Sequence, residues 1–268
     1  MTDEINIIPP EKKSYPSVAQ AFGLIGVLVL VTIVVGIPME LVKGYVDQSF
    51  QPLLNAFTYI LSMVALLFFG IRMRGSFKFS LKKVELAVLL LCVPLILGLG
   101  IMLEPLIDAI PMPDLIKEYF NRVLTHDAWS FLMIAVAAPI LEELVFRGIV
   151  LNGFLKRYKP FSSILLSALI FGIAHLNPWQ FFGAFFIGLV IGWIYWRTNS
   201  LIPGMVIHFV NNSVSFLMML WTGDNFITTR QLMGDGKAYY LFYGICIPVF
   251  IGSWFLIQQR LKMKETLK

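Results

Sequence analysis

The sequence predicts an all-α integral membrane protein, a bundle of eight transmembrane helices. Of its 268 residues, 58% are hydrophobic and only 14% are charged, which is more apolar surface than one water-soluble core can bury. Apolar runs of roughly 20 residues, enough to cross about 30 Å of hydrocarbon, recur along the chain between charges and prolines. Lysine and arginine also fall mainly into alternate connecting segments, as a fixed membrane orientation requires. The net charge of +5 is thereby explained by loops flanking spans, and nucleic acid is not an expected partner.

Residues 1–17 are polar, carry Pro9, Pro10 and Pro16, and are expected to form a disordered cytoplasmic tail. The first apolar run, Val18 to Met39, lacks a small-residue cleavage signal and reads as a retained span. Spans two to four follow at Leu53 to Ile71, Val84 to Leu103 and Trp129 to Leu151. Pro160 suits a helix start, and the fifth run, Phe161 to Leu176, ends at Asn177-Pro178. Trp179 to Trp196 is the sixth, with Gly183, Gly188 and Gly192 as close-packing positions. Leu201 to Trp221 is the seventh, with Pro203 in its first turn. Tyr239 to Ile257 is the eighth, so the membrane domain spans 18–258 and a short basic cytoplasmic tail covers 259–268.

Between spans three and four, Leu115, Ile116, Tyr119, Phe120, Val123 and Leu124 recur at helical spacing, which suits a helix lying in the interface plane. With both termini cytoplasmic, the inner segments hold 15 of the 21 Lys and Arg and the outer ones 5, Arg147 being within a span. That three-to-one bias predicts a multi-pass protein with both ends inside; a bacterial plasma membrane is the expected location. Cys92 and Cys246 both lie in apolar runs and read as small core residues rather than a disulfide or thiolate site.

The fourth span contains Glu142, Glu143 and Arg147. Each charge at the centre of a membrane helix costs roughly 2.5–3.5 kcal/mol on the insertion scale, so the three together need compensation. Glu143 and Arg147 are four apart and share a face, where they can neutralise each other. Glu142 points about 100° away and has no local partner. At about 1.5 Å rise per residue, the two glutamates lie some 12–18 Å from the cytoplasmic end of their span. By the same measure His175 lies near 21 Å, and His208 and Asn212, which share a face of span seven, near 10–17 Å. Of the three histidines only His126 lies outside a span. A single buried histidine is usually structural, but five costly polar groups at one depth on three helices point to a site.

Peptide hydrolysis needs an activated water and donors for the developing oxyanion. A carboxylate taken out of water is a stronger base, which suits Glu142 to draw a proton from water, with His175 orienting or sharing it. The His208 and Asn212 side chains project together and can supply N–H donors to an oxyanion. Pro139 removes a backbone donor and either opens backbone beside a water-filled cavity or makes an ordinary packing kink. A metal version also exists, since Glu142, His175 and His208 would form the His₂Glu set of a catalytic zinc. Against it, the compact His-Glu-x-x-His arrangement is absent. The sequence has no Gly-x-Ser-x-Gly elbow, no nucleophilic cysteine candidate and no paired-aspartate signature. Buried Glu and His chains also make proton relays, so a proton-coupled transporter stays open, as does a non-catalytic immunity or scaffold protein.

Glu142-Glu143-x-x-x-Arg147, Phe171-Gly172-x-x-His175-Leu176 and His208-x-x-x-Asn212 occur in that order. Together they resemble the three motifs of the CPBP intramembrane proteases, a family that includes CAAX prenyl endopeptidases and bacteriocin-processing and self-immunity proteins. The approach to the last motif, Arg197 to Pro203, is also similar, with Asn199 where glycine is more usual. The resemblance covers about 139–212. It implies an eight-helix bundle with an intramembrane cavity open to the cytoplasm, and endoproteolysis of a membrane-associated or lipidated peptide or protein. By resemblance Glu142 activates water with His175, His208 and Asn212 form the oxyanion site, and Glu143 and Arg147 brace the first motif. The family is often labelled metalloprotease, but its motifs leave metal dependence open.

Overall fold

In the computed structural model, residues 14–223 and 227–266 are described, and among them the chain is helical with no strand. Helix α1 (Val18–Lys43) starts at a capping box in which Ser17 accepts from the Gln20 N–H. Helix α2 (Gln51–Arg74) stops at Gly75, whose φ of 70° is the left-handed turn that glycine adopts without penalty. Helix α3 (Leu86–Asp108) crosses next, and α4 (Asp114–Val123) is the short amphipathic helix anticipated between spans three and four.

The fourth expected span is a relay of unlike pieces: α5 (Ala128–Phe131), a π-helical segment π1 (Leu132–Ala137), α6 (Ala138–Val145), a second segment π2 (Phe146–Leu151) and α7 (Asn152–Leu155). Helix α8 (Pro160–Ala174) has 15 residues, about 22 Å at 1.5 Å per residue and shorter than a 30 Å core. It ends early because Leu176 takes a left-handed φ of 56° and Asn177 then caps α9 (Pro178–Thr198) by accepting from Gln180 N–H. Helix α10 (Ile202–Thr222), the short α11 (Thr229–Met233) and α12 (Lys237–Thr266) complete the chain.

Six helices are therefore long and apolar enough to cross a membrane, namely α1, α2, α3, α9, α10 and α12. The other two of the eight expected spans correspond to a π-interrupted fourth segment and a shorter apolar fifth helix. Apolar periodicity does not reveal a π turn, and a break placed by hydropathy at Leu176 falls two residues later than the cap geometry puts it. Leu30, Val34 and Ile37 of α1 are exposed, as a lipid-facing surface requires. Multi-pass membrane insertion follows from these faces and lengths.

Glycines let the helices approach. A Cβ at Gly188 would lie 3.2 Å from Ala168 and one at Gly192 3.1 Å from Ile164, so α9 lies tightly on α8. Gly183 makes only an ordinary contact with Ile107. Gly98 does for α3 and α12 what the first two do for α8 and α9, since a Cβ there would lie 3.0 Å from the Cys246 carbonyl. One core joins α3, α9, α10 and α12, and another joins α1, α2, α6 and α8.

On the side where α2 ends, the loop after it is tied to the link between α9 and α10. Leu201 N–H donates to Ser80 O at 2.9 Å, Ser200 Oγ to Lys82 O at 2.7 Å, and Ser80 Oγ to Asn199 O. Arg74 closes the same loop onto π2 through Gly148 O at 2.7 Å.

Residues 1–13 of the expected disordered tail lie outside the described residues. Ser14 to Ser17 are instead packed against α7: Arg157 Nε donates to Ser14 O, and Pro16 lies where a Cβ on Gly153 would be. At the other end α12 continues as helix to Thr266, past the expected boundary at 258.

Candidate active site

Helix α6 carries the two glutamates between α2 and α10, and its entry is shaped by a proline. In a π turn each carbonyl accepts from the N–H five residues on, and five residues after Ile134 stands Pro139, which has none. The Ile134 carbonyl is thus left without its helical donor. Asn212 of α10 supplies one, its Nδ2 lying 2.9 Å from Ile134 O. This bond ties the last motif to the helical segment that leads into the first. Asn212 also accepts from Asn211 Nδ2 at 3.1 Å, and one N–H of its amide is left for other work.

Glu143 and Arg147 form the pair that their spacing predicts, with Nη1 to Oε1 at 2.8 Å. Both side chains are sealed from solvent, at 0% and 1% exposure, and the pair is therefore one whose rupture would leave a bare buried charge. The guanidinium lies 4.4 Å over the Phe171 ring and reaches the Gly188 carbonyl at 3.5 Å. Glu143 Oε1 is shared with His208, whose Nδ1 is 3.3 Å away. The other oxygen, Oε2, has no partner and faces Gly204, where an added Cβ would come within 2.7 Å. Gly204 is what allows the first turn of α10 to close on this carboxylate.

Glu142 is half-buried and, as expected, finds nothing on its own helix. Its partner comes from α2, where the Tyr59 hydroxyl donates to Oε1 at 2.7 Å. Oε2 is buried and unpartnered, and His208 Nε2 stands 3.8 Å from it. His208 therefore lies between the two carboxylates with one ring nitrogen toward each.

His175 caps the end of α8. Its Nδ1 is 2.9 Å from the Phe171 carbonyl, which assigns the proton to Nδ1 in the neutral ring and leaves Nε2 uncommitted. The Phe171 ring gathers the site, meeting His175 edge-on at 5.0 Å, His208 at 5.8 Å and Arg147 on its face.

Glu142, Glu143, Arg147, His208 and Asn212 are joined through direct contacts or through α6, while His175 reaches the group through Phe171 and makes no polar contact with Glu142. The neighbour expected for Glu142 was His175; the structure puts His208 beside it instead. Sequence reasoning did not single out Tyr59 or Gly204. Tyr59 had one visible signal, its position one turn after Asn55 on the same face of an otherwise apolar run. Gly204 had none, because a glycine beside Pro203 reads as an ordinary helix start.

The zinc alternative requires Glu142, His175 and His208 to converge as ligands. Among the described residues, no three His, Cys, Asp or Glu side chains are grouped so as to hold a metal ion.

Residues 124–214, about a third of the chain, match the family model described as type II CAAX prenyl endopeptidase Rce1-like. The chain is also similar to the candidate membrane peptidase YdiL of Bacillus subtilis (strain 168), with 27% identity over 106 residues. That alignment covers 38% of this chain and 43% of the relative, so less than half of the relative's length is spanned. No solved structure matches.

Proposed function

We propose that the chain is a member of the CPBP intramembrane protease family, a reading supported by the match of residues 124–214 and the likeness to YdiL, and that it is an intramembrane endopeptidase that cleaves a membrane-associated or lipidated peptide or protein with a glutamate-activated water. The observation that carries this reading is the free, buried Oε2 of Glu142 facing His208 Nε2 at 3.8 Å. Two acceptors at that separation are reconciled by one water that donates an O–H to each. With Nδ1–H of His208 directed to Glu143, Nε2 is the accepting nitrogen of the neutral ring.

In this scheme Glu142 takes one proton of the water as its oxygen bonds to the scissile carbonyl carbon. The carbonyl π electrons move to oxygen, and the spare N–H of Asn212 receives that oxyanion. Collapse expels the amine, to which Glu142 returns the proton as the C–N bond breaks. His175 Nε2 is the remaining polar atom available to substrate. Glu143 and Arg147 hold His208 and α6 in place, and no step uses a metal. Both termini cytoplasmic, as the three-to-one partition of Lys and Arg supports, a cavity open to that side and a bacterial plasma membrane complete the proposal.

Comparative peptidomics of cells carrying wild-type protein or Glu142→Ala tests the reading. Peptides cut only in wild-type cells are expected, and identical peptide profiles at equal levels of folded protein refute it. A transporter would instead show pH-gradient-driven uptake lost in Glu142→Gln.

A further inference from the structure

Tyr59 lies on α2, 65 residues before the region that matches the family, yet its hydroxyl is the hydrogen-bond partner of Glu142. We propose that Tyr59 is a positioning residue that pins Oε1 and so reserves Oε2 for the attacking water. This inference rests on the protease reading above and adds to it a residue from outside the three motifs.

The O···O distance of 2.7 Å is in the range of a charge-assisted hydrogen bond to a carboxylate. The terminal torsion of a glutamate is broad and roughly two-fold, so an unheld carboxylate exchanges its two oxygens and samples many tilts. One bond to Oε1 removes that freedom. The oxygen left over is Oε2, the buried one near His208 Nε2. A base fixed in one orientation is worth a large factor in rate, since a displacement of about 1 Å can cost on the order of a hundredfold.

The mount is rigid enough to hold this geometry. One turn earlier on the same face of α2, buried Asn55 donates from Nδ2 to the Val123 carbonyl at 3.2 Å, at the end of α4 and ahead of the chain that leads through α5 and π1 into α6. Two contacts four residues apart thus tie α2 to both ends of the approach to Glu142. The matched region alone contains the base but not the group that orients it.

The test compares wild type, Tyr59→Phe and Glu142→Ala on a quenched-fluorescent peptide carrying a cleavage site mapped by the peptidomics. Tyr59→Phe keeps the ring and removes the hydroxyl. Losing a hydrogen bond to a charged group predicts a fall in kcat of about ten- to a hundredfold, with KM changed less than about twofold because no substrate contact is lost. Fluorotyrosines at position 59, which alter donor strength at nearly constant size, should change kcat in step with phenol acidity. That dependence would not arise if Tyr59 only packed, and it is readable even where Tyr59→Phe yields little folded protein. A wild-type kcat in Tyr59→Phe, a loss carried wholly by KM, or a kcat indifferent to phenol acidity overturns the proposal. Full activity in Glu142→Ala overturns the protease reading itself, so the two failures are distinguishable.

Discussion

Replacing Arg147 with methionine tests how the interior of this protein tolerates its charges. The guanidinium is 1% exposed and bonds to a carboxylate that is 0% exposed. Glu143 already has one oxygen, Oε2, without a partner. In Arg147→Met the other oxygen keeps only His208 Nδ1 at 3.3 Å, and a neutral imidazole N–H replaces little of a guanidinium. Removing one member of a buried pair costs about 3–5 kcal/mol because the survivor is stranded. The cation–π contact with Phe171 adds roughly 1–2 kcal/mol in a desolvated setting. At roughly 2–4 °C per kcal/mol for a chain of this size, the melting temperature in detergent should drop by at least about 8 °C. The matched control is Glu143→Gln with Arg147→Met, in which no charge is stranded and the loss should be mostly recovered. Differential scanning fluorimetry on purified protein reads both. A single variant within about 1 kcal/mol of wild type would refute the reasoning, as would a double variant that melts lower than the single one.

Other predictions follow from the same geometry. In Gly204→Ala the new methyl would meet Glu143 Oε2 at 2.7 Å and Ile191 at the same distance, so α10 must shift. A stability loss of about 1–3 kcal/mol with a matching fall in cleavage is expected, and unchanged thermal unfolding would contradict it. Cleavage should persist after treatment with a strong chelator and with no stoichiometric metal in the purified protein, measured by elemental analysis. Activity restored only by added zinc would show that the ligands gather in a state other than the one described here.

Much of the site was legible beforehand because a charge in lipid demands an explanation wherever it occurs. The Glu143–Arg147 pair followed from four-residue spacing alone, and a shared depth for Glu142, His175, His208 and Asn212 followed from helical rise. What spacing does not carry is rotation about helix axes. The sequence paired His175 with Glu142, and only the placement of α8 and α10 brought His208 beside it. The donor for Glu142 came from α2, which was read simply as a span. The π-interrupted form of the fourth segment reflects the same limit, since the π turns around α6 conserve hydropathy while changing which face each residue presents.

The chain by itself determined that this protein lives in a membrane, that α6 is its costly segment, and that its polar groups lie at one level. These follow from transfer free energies and rise per residue, which depend on composition and local periodicity. Only the tertiary structure decided that Tyr59 and His208 flank Glu142, that Asn212 satisfies the carbonyl left by Pro139, and that Gly204 admits the Glu143 carboxylate. Those contacts join residues 61 to 83 positions apart, and their geometry is set by how helices rotate and close upon one another.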